Sequence, residues 1–278
     1  MGSFQRLATS LAVGLCFSVV TLPAFAMRSF DEHVAGSTQK KDRDDTRQED
    51  TRHMAWDALL KQHVDAHGLV DYAALRNDTA VLDRYLASLV SMDFRKMSRD
   101  ERLAAMINAY NAFTLKLILD YYPVESINDI PESKRWKHRR WKLAGSVWSL
   151  DGLEHQGIRK EFKEPRIHFA LVCAAVGCPK LRNEAYVGHR LEEQLETQTE
   201  FVHSNDTWFV YQEGDNTVYL TKLYEWYGDD FSHLGGPVAF AAKYSQPLAR
   251  RLKKGKPKVA WLEYDWSLNK QRSNREDS

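Results

Sequence analysis

Residues 98–122 read SRDERLAAMINAYNAFTLKLILDYY, and the rest of the domain is expected to pack around them. It opens on Ser98 with Glu101 three residues later, which is the spacing of a capping box at the start of a helix. Apolar residues then cover most of the helical circumference until Pro123, which cannot continue a helix. The pattern predicts a long helix buried at the centre of the domain.

Two asparagines, Asn108 and Asn111, interrupt the apolar surface of this helix. Asparagine is a poor helix former, and a buried amide without hydrogen-bond partners costs about 1–3 kcal/mol. Both amides must therefore bond to something. Either they clamp a neighbouring loop, or they serve a site in which Asn108 orients a catalytic base and Asn111 binds substrate.

Around this helix, helical and extended patterns follow one another without regular β-α-β units. Helices are predicted at 56–64, 82–90, 151–162, 190–202, 221–227 and 237–253. Hairpins are predicted at 140–150 and 208–220, and a last strand at 259–264. Residues 166–174 alternate with period two and are apolar on both faces, which predicts a central strand. We expect an α+β fold: a single domain with a mixed sheet, a central buried helix and surrounding helices.

The N-terminus has the pattern of a secretory signal peptide. Residues 1–26 contain one charge, Arg6, then an apolar run and the small-residue end Ala24-Phe25-Ala26. The run is too short for a good membrane span, which needs about 20 apolar residues. We therefore expect a periplasmic or secreted protein that is cleaved after Ala26 and has no membrane contact afterwards.

Two further segments are too polar to bury the surface that folding requires. Residues 27–53 contain a run of charges and almost no apolar side chains, and residues 269–278 are similar. The sequence predicts a disordered charged linker at 27–53, a globular domain at 54–268 and a disordered tail at 269–278.

The charge balance excludes one class of partner. Removing residues 1–26 removes one arginine and no acid, so the mature chain carries 38 Lys and Arg residues against 38 Asp and Glu residues. Proteins that bind nucleic acid show net or clustered positive charge, so no nucleic-acid partner is expected. We expect a small-molecule or peptide-like substrate, and no motif indicates a cofactor.

Cys173 and Cys178 are the cysteines that remain after signal-peptide cleavage. A thiolate nucleophile needs a base, and the base needs an orienting group. Cys173 ends the predicted central strand and His155 lies on the preceding helix, which suggests a catalytic pair. Asp151, four residues before His155 on the same helical face, and Asn108 are candidates to orient the imidazole.

Glu154 and Arg159, on the same helix as His155, are candidate substrate-binding residues. Asn111, on the predicted central helix, is a third candidate. Each also has a structural interpretation. Arg159 can pair with Glu154 or Asp151, and the spacing of Asp151 and Glu154 suits a helix cap.

The two cysteines allow other interpretations. In an oxidising compartment thiols usually pair, and a Cys173–Cys178 disulfide requires a turn that brings their Cα atoms within about 7 Å. A zinc site with His168 would not follow a known ligand spacing, so no metal is predicted. The absence of a Cys-x-x-Cys sequence weakens a redox role. A free cysteine is also a common core residue.

Five separated motifs occur in the order and spacing of a known family. They are Ile107–Ala112, Ser149–His155 with Arg159, His168–Cys173 followed by Gly177–Leu181, Tyr224–Tyr227 before Asp230–Phe231, and Tyr264–Asn269. From Trp56 to Trp266 the chain resembles the family of domain of unknown function 547. The resemblance implies a single exported or cytosolic domain and brings no reaction with it. In plant relatives the position of Cys178 is often serine, which implies that Cys173 is the thiol of greater interest.

These observations favour a thiol-dependent hydrolase or transferase that acts at an amide or thioester carbonyl, with Cys173 as nucleophile and His155 as base. Two alternatives stay open. One is a non-catalytic binding module with a Cys173–Cys178 disulfide, and the other is a thiol–disulfide oxidoreductase.

Overall fold

The computed structural model describes residues 51–271, which all belong to one compact unit. Its α-helices are α1 (51–63), α2 (Tyr72–Leu75), α3 (Thr79–Val90), α4 (Arg99–Tyr121), α5 (Leu150–Gly152), α6 (Lys160–Phe162), α7 (Leu191–His203), α8 (Lys222–Trp226), α9 (Pro237–Ala241) and α10 (Gln246–Leu252). Its strands are β1 (Trp141–Leu143), β2 (Ser146–Trp148), β3 (Phe209–Gln212), β4 (Thr217–Leu220) and β5 (Lys258–Trp261). The predicted class, a single α+β domain, is confirmed.

Helix α4 is the predicted central helix. The Ser98 hydroxyl accepts the backbone N–H of Glu101, and the Glu101 carboxylate accepts the backbone N–H of Ser98, so the capping box is complete. Between Leu103 and Leu119 nearly every side chain of α4 is buried. The predicted length, start and burial of this helix are confirmed.

The strands form two small sheets. Strands β1 and β2 make the first predicted hairpin, and β3 and β4 make the second. Strand β5 pairs with β4 in parallel, with Val218 opposite Val259, so the three-stranded sheet is mixed. Local turn signals were sufficient to predict both hairpins, because each connects neighbours in sequence.

The predicted strand at 166–174 is wrong. Residues Pro165–Phe169 form a 3₁₀-helix, and the Ala170 N–H donates to the Ile167 carbonyl at 2.9 Å. The segment is apolar on both sides, and such a run indicates burial without distinguishing a strand from another buried conformation. Cys173 therefore lies on an irregular buried segment instead of at a strand end.

The ends of the ordered domain also differ from the prediction. Helix α1 includes residues 51–53, which the sequence assigned to the linker, and His53 is buried. Asn269, the first residue of the predicted tail, is buried and accepts the Tyr72 hydroxyl at 2.7 Å. The predicted helix 237–253 is interrupted between α9 and α10. The predicted signal peptide (1–26), residues 27–50 and residues 272–278 lie outside the described residues.

Two hydrophobic clusters make up the core. The larger surrounds α4, and the smaller contains the β3–β4 hairpin with Phe169, Tyr224, Phe231 and Phe240. Tyr264 packs against both clusters. Within residues 51–271, no helix combines the length and hydropathy needed to cross a bilayer.

Two core histidines should make the fold sensitive to mild acid. Burial lowers the pKa of His53 and of His203 to about 4, whereas an unfolded histidine has a pKa near 6.5. Between pH 7 and pH 5 the unfolded chain therefore gains protons that the folded chain does not. We expect the free energy of unfolding to fall by about 1–2 kcal/mol for each histidine.

Urea unfolding at pH 7 and at pH 5 measures this loss of stability. His203→Gln should reduce the loss, and the exposed His67→Ala should leave it unchanged; equal stability at both pH values would contradict the assignment.

Candidate functional site

A cavity of about 330 Å³ opens where the two clusters meet. Its buried lining residues, which form its floor, are Tyr110, Glu154, His168, Leu171, Cys178 and Leu223. Its more exposed lining residues, which form its walls and rim, are Trp136, Lys137, Asp151, His155, Cys173, Trp226, Tyr227, Tyr264 and Trp266. The volume is at the lower end of the range for small-ligand sites.

Helix α4 holds the segment that carries the cysteines. The Asn111 amide donates to the Ala170 carbonyl at 3.0 Å and its carbonyl accepts the Val172 N–H at 2.9 Å. Asn108 makes the same pair of bonds to the backbone of Tyr186, at 2.8 and 2.9 Å. Both asparagines are therefore loop clamps, and neither lines the cavity. The structure does not bring Asn108 to His155 or Asn111 into a substrate position.

The two cysteines meet at the cavity. The chain turns at Ala174, whose φ is +61°, and the Cys178 N–H donates to the Ala175 carbonyl. The sulfurs are unbonded and 3.1 Å apart, and the Cys173 thiol donates to Cys178. The backbone N–H of Cys173 also donates to the Cys178 sulfur at 3.1 Å. The turn that a disulfide requires is therefore present.

A tyrosine distant in sequence completes this group. The Tyr264 hydroxyl lies 2.9 Å from the Cys173 sulfur. Gly177 allows this approach, because a Cβ there would lie 2.7 Å from the backbone nitrogen of Asp265. The segment with Tyr264 can thus pack directly against the cysteine turn.

The contact between the sulfurs separates their pKa values. Burial raises the pKa of Cys178, but the hydrogen bonds from the Cys173 thiol and amide outweigh it, so the pKa lies below the usual thiol value. The pKa of Cys173 lies well above that value, because Cys178 holds its proton and because burial and a neighbouring negative charge oppose its ionisation. The pair therefore loses one proton readily and the second only with difficulty.

His155 lies on a composite helix formed by α5, a π-helical stretch Leu153–Arg159 and α6. Its cap is the Ser149 hydroxyl, so Asp151 is not the capping residue. Arg159 donates to His155 Nδ1 at 2.8 Å, and Asp151 lies 3.6 Å from His155 Nε2. Because arginine only donates, Nδ1 must be the acceptor and Nε2 carries the proton towards Asp151. No hydrogen bond joins His155 to Cys173 within residues 51–271.

The other candidates on this helix have different roles. Glu154 is buried and lines the cavity, and the Tyr110 hydroxyl donates to it at 3.3 Å. Arg159 binds Asp230 in a bidentate ion pair at 2.7 and 2.8 Å and lies outside this cavity. Its predicted partners, Glu154 and Asp151, are therefore wrong, and its predicted place beside the substrate is not supported.

His168 joins the Arg159–Asp230 pair. Its Nε2 lies 2.7 Å from Asp230, and its ring stacks on Tyr227 with centroids 4.0 Å apart. Burial lowers the pKa of this imidazole, although Asp230 opposes the shift. Within residues 51–271, no three His, Cys, Asp or Glu side chains are grouped so as to hold a metal ion.

The aromatic walls were missed by the sequence analysis. Trp226 and Tyr227 belong to a family motif to which no role was given, but Trp226 is 46% exposed and both line the cavity. Tyr264 and Trp266 appeared only as family motifs. Their alternation, Tyr264-Asp265-Trp266, places both rings on one side of the chain and is the signal that was available.

Comparison with known proteins adds one match. Residues 94–202 match the family described as "Protein of unknown function, DUF547". No curated protein and no solved structure matches the chain. The matched segment contains α4, the composite helix and both cysteines, whereas Tyr264 lies beyond it. The predicted resemblance is confirmed over residues 94–202, which are similar to this family.

Proposed function

We propose that the chain is an exported thiol–disulfide oxidoreductase whose reactive unit is the Cys173–Cys178 pair. One observation carries this proposal: the two sulfurs lie 3.1 Å apart in the lining of an aromatic cavity. Forming a disulfide, with a bond near 2.05 Å, needs a movement of only about 1 Å. The pattern of the signal peptide supports export to a compartment in which such a pair can cycle.

The chemistry starts from the reduced pair after its first ionisation, with the charge on Cys178. The sulfur of Cys173, the more exposed of the two, attacks one sulfur of a substrate disulfide R–S–S–R while its proton passes to Cys178. The substrate S–S bond breaks and one R–S⁻ leaves and takes a proton from solvent. The Cys178 sulfur then attacks Cys173, and its proton goes to the second leaving thiolate. One substrate disulfide is thereby reduced to two thiols, and the protein pair is oxidised to a disulfide.

A hydrolase based on Cys173 and His155 is less well supported, although both side chains line the cavity. Both nitrogens of His155 face residues of its own helix, Arg159 and Asp151. A general base needs a free lone pair within hydrogen-bond reach of the proton that it removes. The Cys173 thiol donates its hydrogen bond to Cys178, which supports Cys178 as the group that receives the proton.

Redox titration of the full mature chain tests the proposal. In glutathione buffers we expect reversible formation of the Cys173–Cys178 disulfide, with a potential in the range of about −270 to −120 mV that redox-active pairs occupy. In the reduced protein, iodoacetamide should label Cys173 before Cys178, as mass spectrometry of the peptides reports. A disulfide with a potential below about −300 mV would instead support the non-catalytic module.

The same alkylation assay separates oxidoreductase from hydrolase. If His155 were the base, His155→Ala would slow labelling of Cys173 by about 100-fold or more, the usual effect of losing a general base. The proposal requires instead that His155→Ala has a small effect on this rate and that Cys178→Ala has the larger one, an acceleration, because Cys178 raises the pKa of Cys173. The opposite order would contradict it.

A further inference from the structure

The floor of the cavity contains a carboxylate without an ionic partner. Glu154 is 8% exposed, and the two hydroxyls that bond to it, those of Tyr110 and Tyr227, are neutral. Arg159, on the same helix, is committed to Asp230. In the range 51–271 no ion pair within 4 Å includes Glu154, although the Arg159 guanidinium is close enough for the two charges to interact. Buried charges in proteins are normally paired, because the loss of hydration is otherwise uncompensated.

The walls of the cavity are the kind that attracts a positive charge. The ring of Tyr264 lies 4.9 Å from that of Trp226 and 4.8 Å from that of Trp266, and all three line the cavity with Trp136. The faces of aromatic rings carry negative potential, and tryptophan attracts cations most strongly. Aromatic walls above a carboxylate are therefore complementary to an organic ammonium group.

The other charges of the cavity leave this polarity in place. Lys137 is exposed at the rim, which also contains Asp151, and the two nitrogens of His155 face Arg159 and Asp151. The acidic side chain of the floor is that of Glu154. This carboxylate also lies close enough to the sulfurs to raise the pKa of Cys178, so a ligand at Glu154 would lie beside the thiol pair.

We infer that the cavity selects ligands with an ammonium group and that the substrate is a small disulfide carrying one beside its S–S bond. This substrate class rests on the proposed thiol–disulfide exchange. The ammonium group would pair with Glu154 against the aromatic walls while the S–S bond faces Cys173. A bound cation would also offset the field that Glu154 exerts on the thiolate.

Three disulfides of similar length and different charge test the inference on the reduced mature chain. They are cystamine, bis(2-hydroxyethyl) disulfide and dithiodiglycolate. For each compound, the rate of reaction with the protein is divided by the rate of reaction of the same compound with a simple thiol, N-acetylcysteine. We expect cystamine to exceed the neutral compound by about tenfold or more and the dianion to be slowest, since a tenfold ratio needs about 1.4 kcal/mol of selective interaction. In Glu154→Gln the normalised rates of the three disulfides should agree within about threefold. A threefold ratio corresponds to less than half of that interaction free energy.

A binding measurement without redox chemistry separates the inferred cation site from the proposed exchange function. Butylammonium should quench or shift the tryptophan fluorescence of the reduced protein, and butyrate should not, because Trp136, Trp226 and Trp266 line the cavity. Equal normalised rates for the three disulfides, with the Cys173–Cys178 disulfide still formed, would overturn the cation inference and leave the exchange function standing. Butylammonium binding without reaction of any disulfide would overturn the proposed substrate class and function while supporting the cation site.

Discussion

Replacing Cys178 with alanine is expected to stop the reaction at a mixed disulfide on Cys173. The wild-type pair should release two substrate thiols per chain, and Cys178→Ala only one. The second release should slow by about 1,000-fold or more, because an intramolecular attack with a high effective concentration is replaced by attack from dilute thiols in solution. Mass spectrometry of the acid-quenched reaction measures the trapped adduct directly.

The same variant should also change the ionisation of Cys173. The hydrogen bond to Cys178 and the negative charge of Cys178 both raise the pKa of the Cys173 thiol, and Cys178→Ala removes both. The Tyr264 hydroxyl, which lowers this pKa, still contacts the Cys173 sulfur. Because each unit by which a thiol pKa falls increases the thiolate about tenfold, we expect alkylation of Cys173 at pH 7 to become faster.

Cys173→Ala is the matched control for this experiment, and its buried Cys178 should give no stable adduct. Release of two thiols per chain by Cys178→Ala would show that the second sulfur takes no part. Circular dichroism of both variants checks that the fold is intact.

Replacing Asn111 with alanine is expected to lower the free energy of unfolding by about 3 kcal/mol. The variant leaves the carbonyl of Ala170 and the N–H of Val172 buried without partners, and each such group costs about 1–3 kcal/mol. Chemical denaturation with a constant slope measures the loss. Because the freed segment leads directly to Cys173, the ratio of alkylation rates of Cys173 and Cys178 should also change.

Asn108→Ala provides the comparison, because that side chain makes the same two bonds to Tyr186. It should cost a similar free energy of unfolding and leave the alkylation ratio of the cysteines as in the wild type. If both variants changed the ratio equally, the clamp on residues 170–172 would have no specific role in placing the thiol.

The candidate site was partly predictable. Cys173, Cys178, His155, Asp151 and Glu154 were selected by residue type and proximity in sequence, and all of them line one cavity. Which of these residues contact each other was not predictable. Cys173 contacts Cys178, and His155 contacts Arg159, because the fold orients the sulfur and the ring nitrogens in those directions. Asn108, Asn111 and Arg159 are polar residues in the core region that serve the structure, and their residue types alone did not distinguish that role from binding.

Elements with local signals could be predicted from the amino-acid sequence without knowledge of the fold. These elements are the capping box at Ser98, the apolar circumference of α4 and the two hairpins. Each depends on contacts within a few residues, so the neighbouring sequence is sufficient to predict it. The tertiary structure decided the reactive centre. Tyr264 reaches Cys173 across 91 residues of sequence, and the cavity exists because two clusters of distant segments pack side by side. Neither the hydrophobic periodicity of a segment nor a sequence motif predicts such a contact. Its free energy comes from the burial of segments that meet only in the folded chain.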